Sequence, residues 1–201
     1  MKCYFLILFV CLISCTNRNN ENSLKKTAIQ KVIVLQPLGD FKSEQANKVL
    51  SEIRTVNPNV VLRATIPFPD NTYYRPRNRY RADSIIKSLK NNIGKDSVIV
   101  GLSHSDISTT KNGIKDWGVM GLGYRPGKAC VVSDFRLSVK NNTEQFYKLV
   151  LHELGHTAGL PHCKVKSCLM RDAKGGNHLD EEHAFCLNCK IFLLRKGWKL
   201  V

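Results

Sequence analysis

No stretch of this 201-residue chain carries the ~20 consecutive apolar residues that a permanent membrane-spanning helix needs. Acidic side chains are scarce, 16 against 31 lysines and arginines, leaving a formal charge of +15. Such an excess would suit an anionic surface or a nucleic acid. The basic residues are scattered, however, and no aromatic-interleaved patch or binding helix gathers them. A specific nucleic-acid partner is therefore not expected, and a solvated surface is the milder explanation of the charge. Cysteine is not scarce, and four of the eight lie between residues 163 and 189.

Lys2 is followed by an apolar run from Cys3 to Ile13, the basic start and short greasy core of a secretory signal. Its end, Leu12-Ile13-Ser14-Cys15, resembles a bacterial lipobox, whose cysteine is acylated. The plainer alternatives are an ordinary signal peptide cut nearby and a buried first strand. The expectation is a signal peptide over 1–14, a lipidated Cys15, a polar Asn-rich tether over 15–30 and a single domain over 31–201. The protein would then be a monomeric bacterial lipoprotein, extracytoplasmic and anchored to a lipid membrane through Cys15.

Within 31–201 the pattern alternates. Val32-Ile33-Val34-Leu35 reads as a strand closed by Pro37-Leu38-Gly39. Ser43 to Arg54 reads as a helix with Ala46, Val49, Leu50 and Ile53 on one face. Val60 to Leu62 and Val98 to Val100 are short strands, Ala82 to Ile93 is a second helix, and Pro67 to Tyr80 is a loop whose Tyr73, Tyr74 and Arg75 edge a cleft or simply pack. The glycines of Trp117 to Gly123 suit an edge strand or a flap, one able to pair with an extended peptide, or else a surface loop. Ala129 to Ser133 adds one more strand. Asn142, with Gln145 three positions on, forms a capping box for a helix that buries Phe146, Tyr147, Val150, Leu151, Leu154 and Ala158. Alternating helices and strands argue for an α/β layer.

On that helix His152 and His156 stand one turn apart, so both imidazoles reach one Zn²⁺. Glu153 is placed to take a proton from water as a general base. Gly159 ends the helix, Pro161 prevents its continuation, and the chain can turn to bring back His162 as third ligand. The fourth position stays open, as hydrolysis requires. Cys163, Cys168, Cys186 and Cys189 form two pairs able to complete a tetrahedral zinc site, with two disulfides as the rival reading. Cys130 reads as a buried thiol, and His178 and His183 as surface histidines. His104 and Asp106 follow a strand, where a cleft role is a weaker reading.

These residues resemble the archaemetzincins, zinc metallopeptidases of the metzincin clan. The similarity runs through His152, Glu153, His156, Gly159, His162, Cys163, Cys168, Met170, Cys186 and Cys189. It extends more weakly to Val32–Phe41, Val98–Asp106 and Gly118–Leu137, covering most of 31–194. It implies a metzincin-like α/β (α+β) fold, a mixed, mostly parallel twisted sheet packed by helices, with an active-site helix and a Met-turn. It also implies two zinc ions per chain: a catalytic one on the three histidines with Glu153 as base, and a structural one on the four cysteines within 163–189. Met170 would be the Met-turn residue under the metal, and a peptide or protein the substrate. The interval from Met170 to Cys186 is shorter than the family's. No tyrosine soon after Met170 offers an oxyanion donor, so Tyr124 and Arg136 are taken as candidate oxyanion or substrate contacts. The competing reading is a non-catalytic zinc-binding envelope protein on the same scaffold.

Overall fold

The structure is a computed structural model that describes residues 31–201. The expected signal peptide over 1–14, lipidated Cys15 and tether over 15–30 lie outside the described residues. In chain order the elements are β1 (Val32–Pro37), α1 (Ser43–Val56), β2 (Val60–Leu62), β3 (Tyr73–Tyr74), β4 (Arg79–Arg81), α2 (Ala82–Asn91), β5 (Ser97–Ser103), β6 (Ile107–Lys111), β7 (Ile114–Val119), β8 (Gly121–Gly123), β9 (Ala129–Ser133), α3 (Asn142–Ala158) and α4 (Leu187–Arg195).

The main sheet runs β2-β1-β5-β9-β8, with β8 alone antiparallel at the edge. Its strands are apolar on both faces because helices cover both. Ile33, Leu35, Val98, Val100, Cys130 and Val132 point toward α1 and α3. The alternate residues Val34, Ile99, Ala129 and Val131 point toward α2. The mixed, mostly parallel sheet is thus the one expected.

A second sheet, β3-β4-β6-β7, was not legible in the sequence. Its strand β3 and most of β4 fall inside the stretch that reads as a loop, and hydrophobic alternation does not define them. Charge does much of the holding. Arg79 Nε lies 2.6 Å from Asp106 Oδ2, Arg79 Nη1 lies 3.0 Å from Asp116 Oδ2, and Arg136 donates to both Asp106 oxygens at 2.8 and 2.9 Å. The glycine-rich stretch divides at Met120: Trp117 belongs to β7 in this sheet, and Gly121 to Gly123 form the edge of the main one.

Helix α3 departs from its expected start. Asn141 caps it, with no side-chain capping bond, and Gln145 is not part of a capping box. Instead Gln145 donates to Asp180 Oδ1 at 2.9 Å and accepts from Ser138 N and Asn177 Nδ2. Lys148, buried on the same helix, donates to the Leu179 carbonyl at 3.0 Å and pairs with Glu144. Together they fasten the loop that leads from Met170 toward the last cysteines.

Glu182, buried in that loop, keeps one carboxylate oxygen without a hydrogen-bond partner. Burial pushes its pKa up to about 7 from the ordinary 4.5, against the pull of Arg171 and Lys148. Between those values the folded chain holds a proton that the unfolded chain releases, so this residue's contribution to stability falls as pH rises from about 4.5 to about 7. Glu182→Gln is expected to melt higher than the parent at pH 8, with the difference vanishing near pH 4.5. A difference independent of pH, read by thermal unfolding across that range, would contradict the assignment.

Candidate active site

Three imidazoles converge where α3 ends. His152 and His156 lie on its last two turns, half-buried, while the opposite side of the helix packs into the core. Gly159 takes a left-handed conformation, φ 110°, which a side chain would strain, and its N–H closes on Gly155 and His156 carbonyls. The chain then reverses and brings exposed His162 back, so that one ring nitrogen from each histidine lies within 4.8 Å of the others.

The orientation of two rings is fixed from behind. His152 Nδ1 faces the Leu169 carbonyl at 2.7 Å and His156 Nδ1 faces the Leu160 carbonyl at 2.8 Å. With Nδ1–H donating to a carbonyl, each ring carries its lone pair on Nε2, toward the shared centre. His156 Nε2 and His162 Nε2 stand 3.2 Å apart, and His162 Nδ1 lies 3.6 Å from Asp172 Oδ2. Burial, then the charge of His156, pushes His152 down to about 3. His156 is also lowered, mainly by burial. Both rings are therefore held neutral and able to bind a cation.

Glu153 is wedged between α3 and the edge strand β8. A Cβ at Gly121 would stand 2.6 Å from Glu153 Oε1, and one at Gly123 would stand 2.8 Å from the Glu153 carbonyl oxygen. Only bare backbone fits there, which is the physical reason for glycine at these two positions. Burial pushes Glu153 up to about 8. A divalent cation on the neighbouring imidazoles would favour its charged form. On another side of α3, a Cβ at Gly155 would collide with Met170 Sδ, and Met170 is fully buried. Met170 thus packs under the helix turn that carries His152 and His156.

The four cysteines form a second cluster, their sulfurs also within 4.8 Å of one another. Cys163 Sγ lies 3.7 Å from Cys186 Sγ, and Cys168 Sγ lies 3.8 Å from Cys189 Sγ. A disulfide needs about 2.05 Å. Sulfurs placed about 2.3 Å from one tetrahedral zinc stand about 3.8 Å apart, so the spacing fits zinc. Backbone N–H groups of Val165 and Cys186 point at Cys163 Sγ and Cys168 Sγ, a further feature suited to thiolates. Cys186 and Cys189 bracket the first turn of α4, and Cys163 N donates to Met170 O at 2.7 Å, tying this cluster to the chain below the histidines.

Other expected residues lie elsewhere. Tyr124 donates to Asp83 Oδ1 on α2 at 2.6 Å, and burial and that carboxylate push its phenol up to about 12. Arg136 is committed to Asp106 and packs against Gly118. Both side chains are thus bonded to carboxylates outside the histidine cluster, and the residues of β8 that meet Glu153 are its glycines. His104 pairs with Asp134 at 2.8 Å and stacks on Phe41, so it supports packing. Among the described residues neither His178 nor His183 joins a metal-ready cluster. Sequence reading missed the two carbonyls behind His152 and His156, and Asp172 beside His162; backbone acceptors leave no signal in a side-chain pattern.

Comparison with known proteins meets this geometry. The model of Peptidase family M54 matches residues 34–195. The archaemetzincin of Natronomonas pharaonis is 27% identical over 172 residues, covering 79% of this chain and 96% of its own length. That of Halobacterium salinarum is 29% identical over 168 residues, covering 77% and 94%. Among solved structures, archaemetzincin from Methanopyrus kandleri has the same fold with a TM-score of 0.70 at 23% identity, covering 86% of this chain and 98% of that one. Archaemetzincin from Archaeoglobus fulgidus, solved complexed with malonate, gives 0.68 at 24% identity, covering 80% and 98%. The expected localisation is corrected by the same comparison: the curated relatives are archaeal, so the assignment as a membrane-anchored bacterial lipoprotein does not stand. Matched over residues 34–195, the chain belongs to peptidase family M54, the archaemetzincins, and is a zinc metallopeptidase.

Proposed function

We propose that His152, His156 and His162 hold the catalytic zinc and that Glu153 is the general base of peptide hydrolysis. The observation that carries this reading is the convergence of three imidazole nitrogens beside one buried carboxylate. Zinc, when bound there, supplies Lewis acidity toward the scissile carbonyl and the attacking water. Glu153 takes the proton of that water on a carboxylate oxygen and passes it to the departing amine nitrogen, so it ends the cycle unprotonated. Met170 supports the ligand-bearing turn of α3 through its contact at Gly155.

The substrate is an extended peptide that adds to the outer edge of β8, whose glycines leave backbone groups open to pairing. Its scissile bond lies alongside Gly121 to Gly123, because Glu153 does. A second zinc on Cys163, Cys168, Cys186 and Cys189 braces the return chain that carries His162, and residues 31–201 act as one peptidase unit. Removing metal with a chelator is expected to abolish cleavage of extended peptides, and adding zinc back to restore it. Protein with zinc on its imidazoles that cleaves no member of a broad peptide library would overturn the hydrolytic assignment.

A further inference from the structure

The segment after β8 is pinned to α3 on both sides. Gly123 abuts Glu153, and Gly127 N donates to the Thr157 carbonyl at 2.9 Å, one residue past His156. Between these contacts stands Arg125, exposed, with no ion pair or side-chain hydrogen bond among the described residues. The residues before it divide between two sides. Leu122 packs toward α2 and Tyr124 donates to Asp83 on α2, whereas Gly121 and Gly123 face Glu153. Arg125 itself stands just past the end of β8, in the bend that carries the chain from the Gly123 contact with Glu153 to the Gly127 contact with Thr157. Its charge acts on His156, where it opposes protonation.

A free guanidinium beside a peptide-hydrolysing centre has an obvious complement. We propose that Arg125 is a specificity-determining residue that grips a substrate carboxylate. The side of the scissile bond follows from β8. A peptide pairing antiparallel with β8 runs its N-terminal half past the C-terminal end of that strand, toward Arg125. Arg125 lies two residues past Gly123, just beyond that end of the strand. The acidic residue therefore lies one to three positions before the scissile bond. Guanidinium and carboxylate match as a two-pronged, charge-assisted pair, which lysine would not reproduce.

This inference rests on the peptidase reading above, and its test separates the two. Peptides identical except for Glu, Gln or Lys at each of those three positions are compared by cleavage and by fluorescence-anisotropy binding to the zinc-loaded full chain. At one position Glu is expected to exceed Lys by about tenfold in kcat/KM and in affinity, chiefly through KM, with the gap shrinking in high salt. Arg125→Glu is expected to reverse the order and Arg125→Gln to flatten it, with zinc content and thermal midpoint matching the parent. The same ranking in parent and Arg125→Glu, in both assays, would overturn the assignment. Binding that follows the charge swap without any cleavage would instead uphold Arg125 and sink the hydrolytic reading.

Discussion

Glu153→Gln is expected to lower kcat/KM for peptide cleavage about 10³-fold while zinc stays bound. The glutamine fills the same space between α3 and β8, so the close fit against Gly121 and Gly123 survives. What it removes is the basic carboxylate of the wedge. General-base transfer is worth roughly 10²–10⁴ in rate, and the loss should fall on kcat because the proton moves during reaction, not on binding. The variant also removes a carboxyl group that burial places at about 8, so Glu153→Gln should unfold no more easily than the parent in the metal-free state at pH 7. Steady-state kinetics with zinc counted on the same samples gives the answer. Undiminished kcat with zinc present would remove Glu153 from the reaction.

The second large effect concerns stability. Cys168 is fully buried and its sulfur faces Cys189 across 3.8 Å. Cys168→Ser is expected to lose the sulfur-bound zinc and to melt at least ~10 °C lower. Structural zinc sites of this kind bind with roughly 10–16 kcal/mol in small peptides, and loss of even a few kcal/mol shifts a domain of this size by several degrees. The damage should spread to catalysis, because Cys163 follows His162 directly and bonds to the Met170 backbone. Burial raises the Cys168 and Cys189 thiols, so zinc must displace their protons and its retention should weaken in acid. A chelator should lower the melting temperature and a reductant should not. The opposite pattern would mean two disulfides.

Much of the frame could be read from the amino acids because it is apolar and periodic. The strands β1, β5 and β9 are short runs of branched residues buried on both faces, and α1 and α2 repeat at three and four residues. The second sheet escaped notice because its short strands depend on Arg79, Asp106, Asp116 and Arg136, and such pairings across 30 or so residues follow no local period. Gln145 misled for a related reason. Its spacing from Asn142 fits a capping box, but the side chain is worth more to the folded state when it satisfies Ser138, Asn177 and Asp180. The two metal-ready clusters were legible because the chemistry of cation binding dictates both residue type and spacing. Their tuning was not, since it comes from the Leu169 and Leu160 carbonyls and from glycines that admit Glu153. Tyr124 looked suitable by type alone, and its hydroxyl is bonded to Asp83 on α2.

Zinc-edge X-ray absorption on the purified, reduced chain, with metal counted per molecule, bears most directly on the paired centres. Two zinc ions are expected: one surrounded by four sulfurs at about 2.3 Å, the other by imidazole nitrogens and an oxygen at about 2.0–2.1 Å. The nitrogen-rich component should disappear in a His152→Ala, His156→Ala double variant, leaving the sulfur component intact. A spectrum of sulfur ligands alone from fully loaded protein would contradict the account.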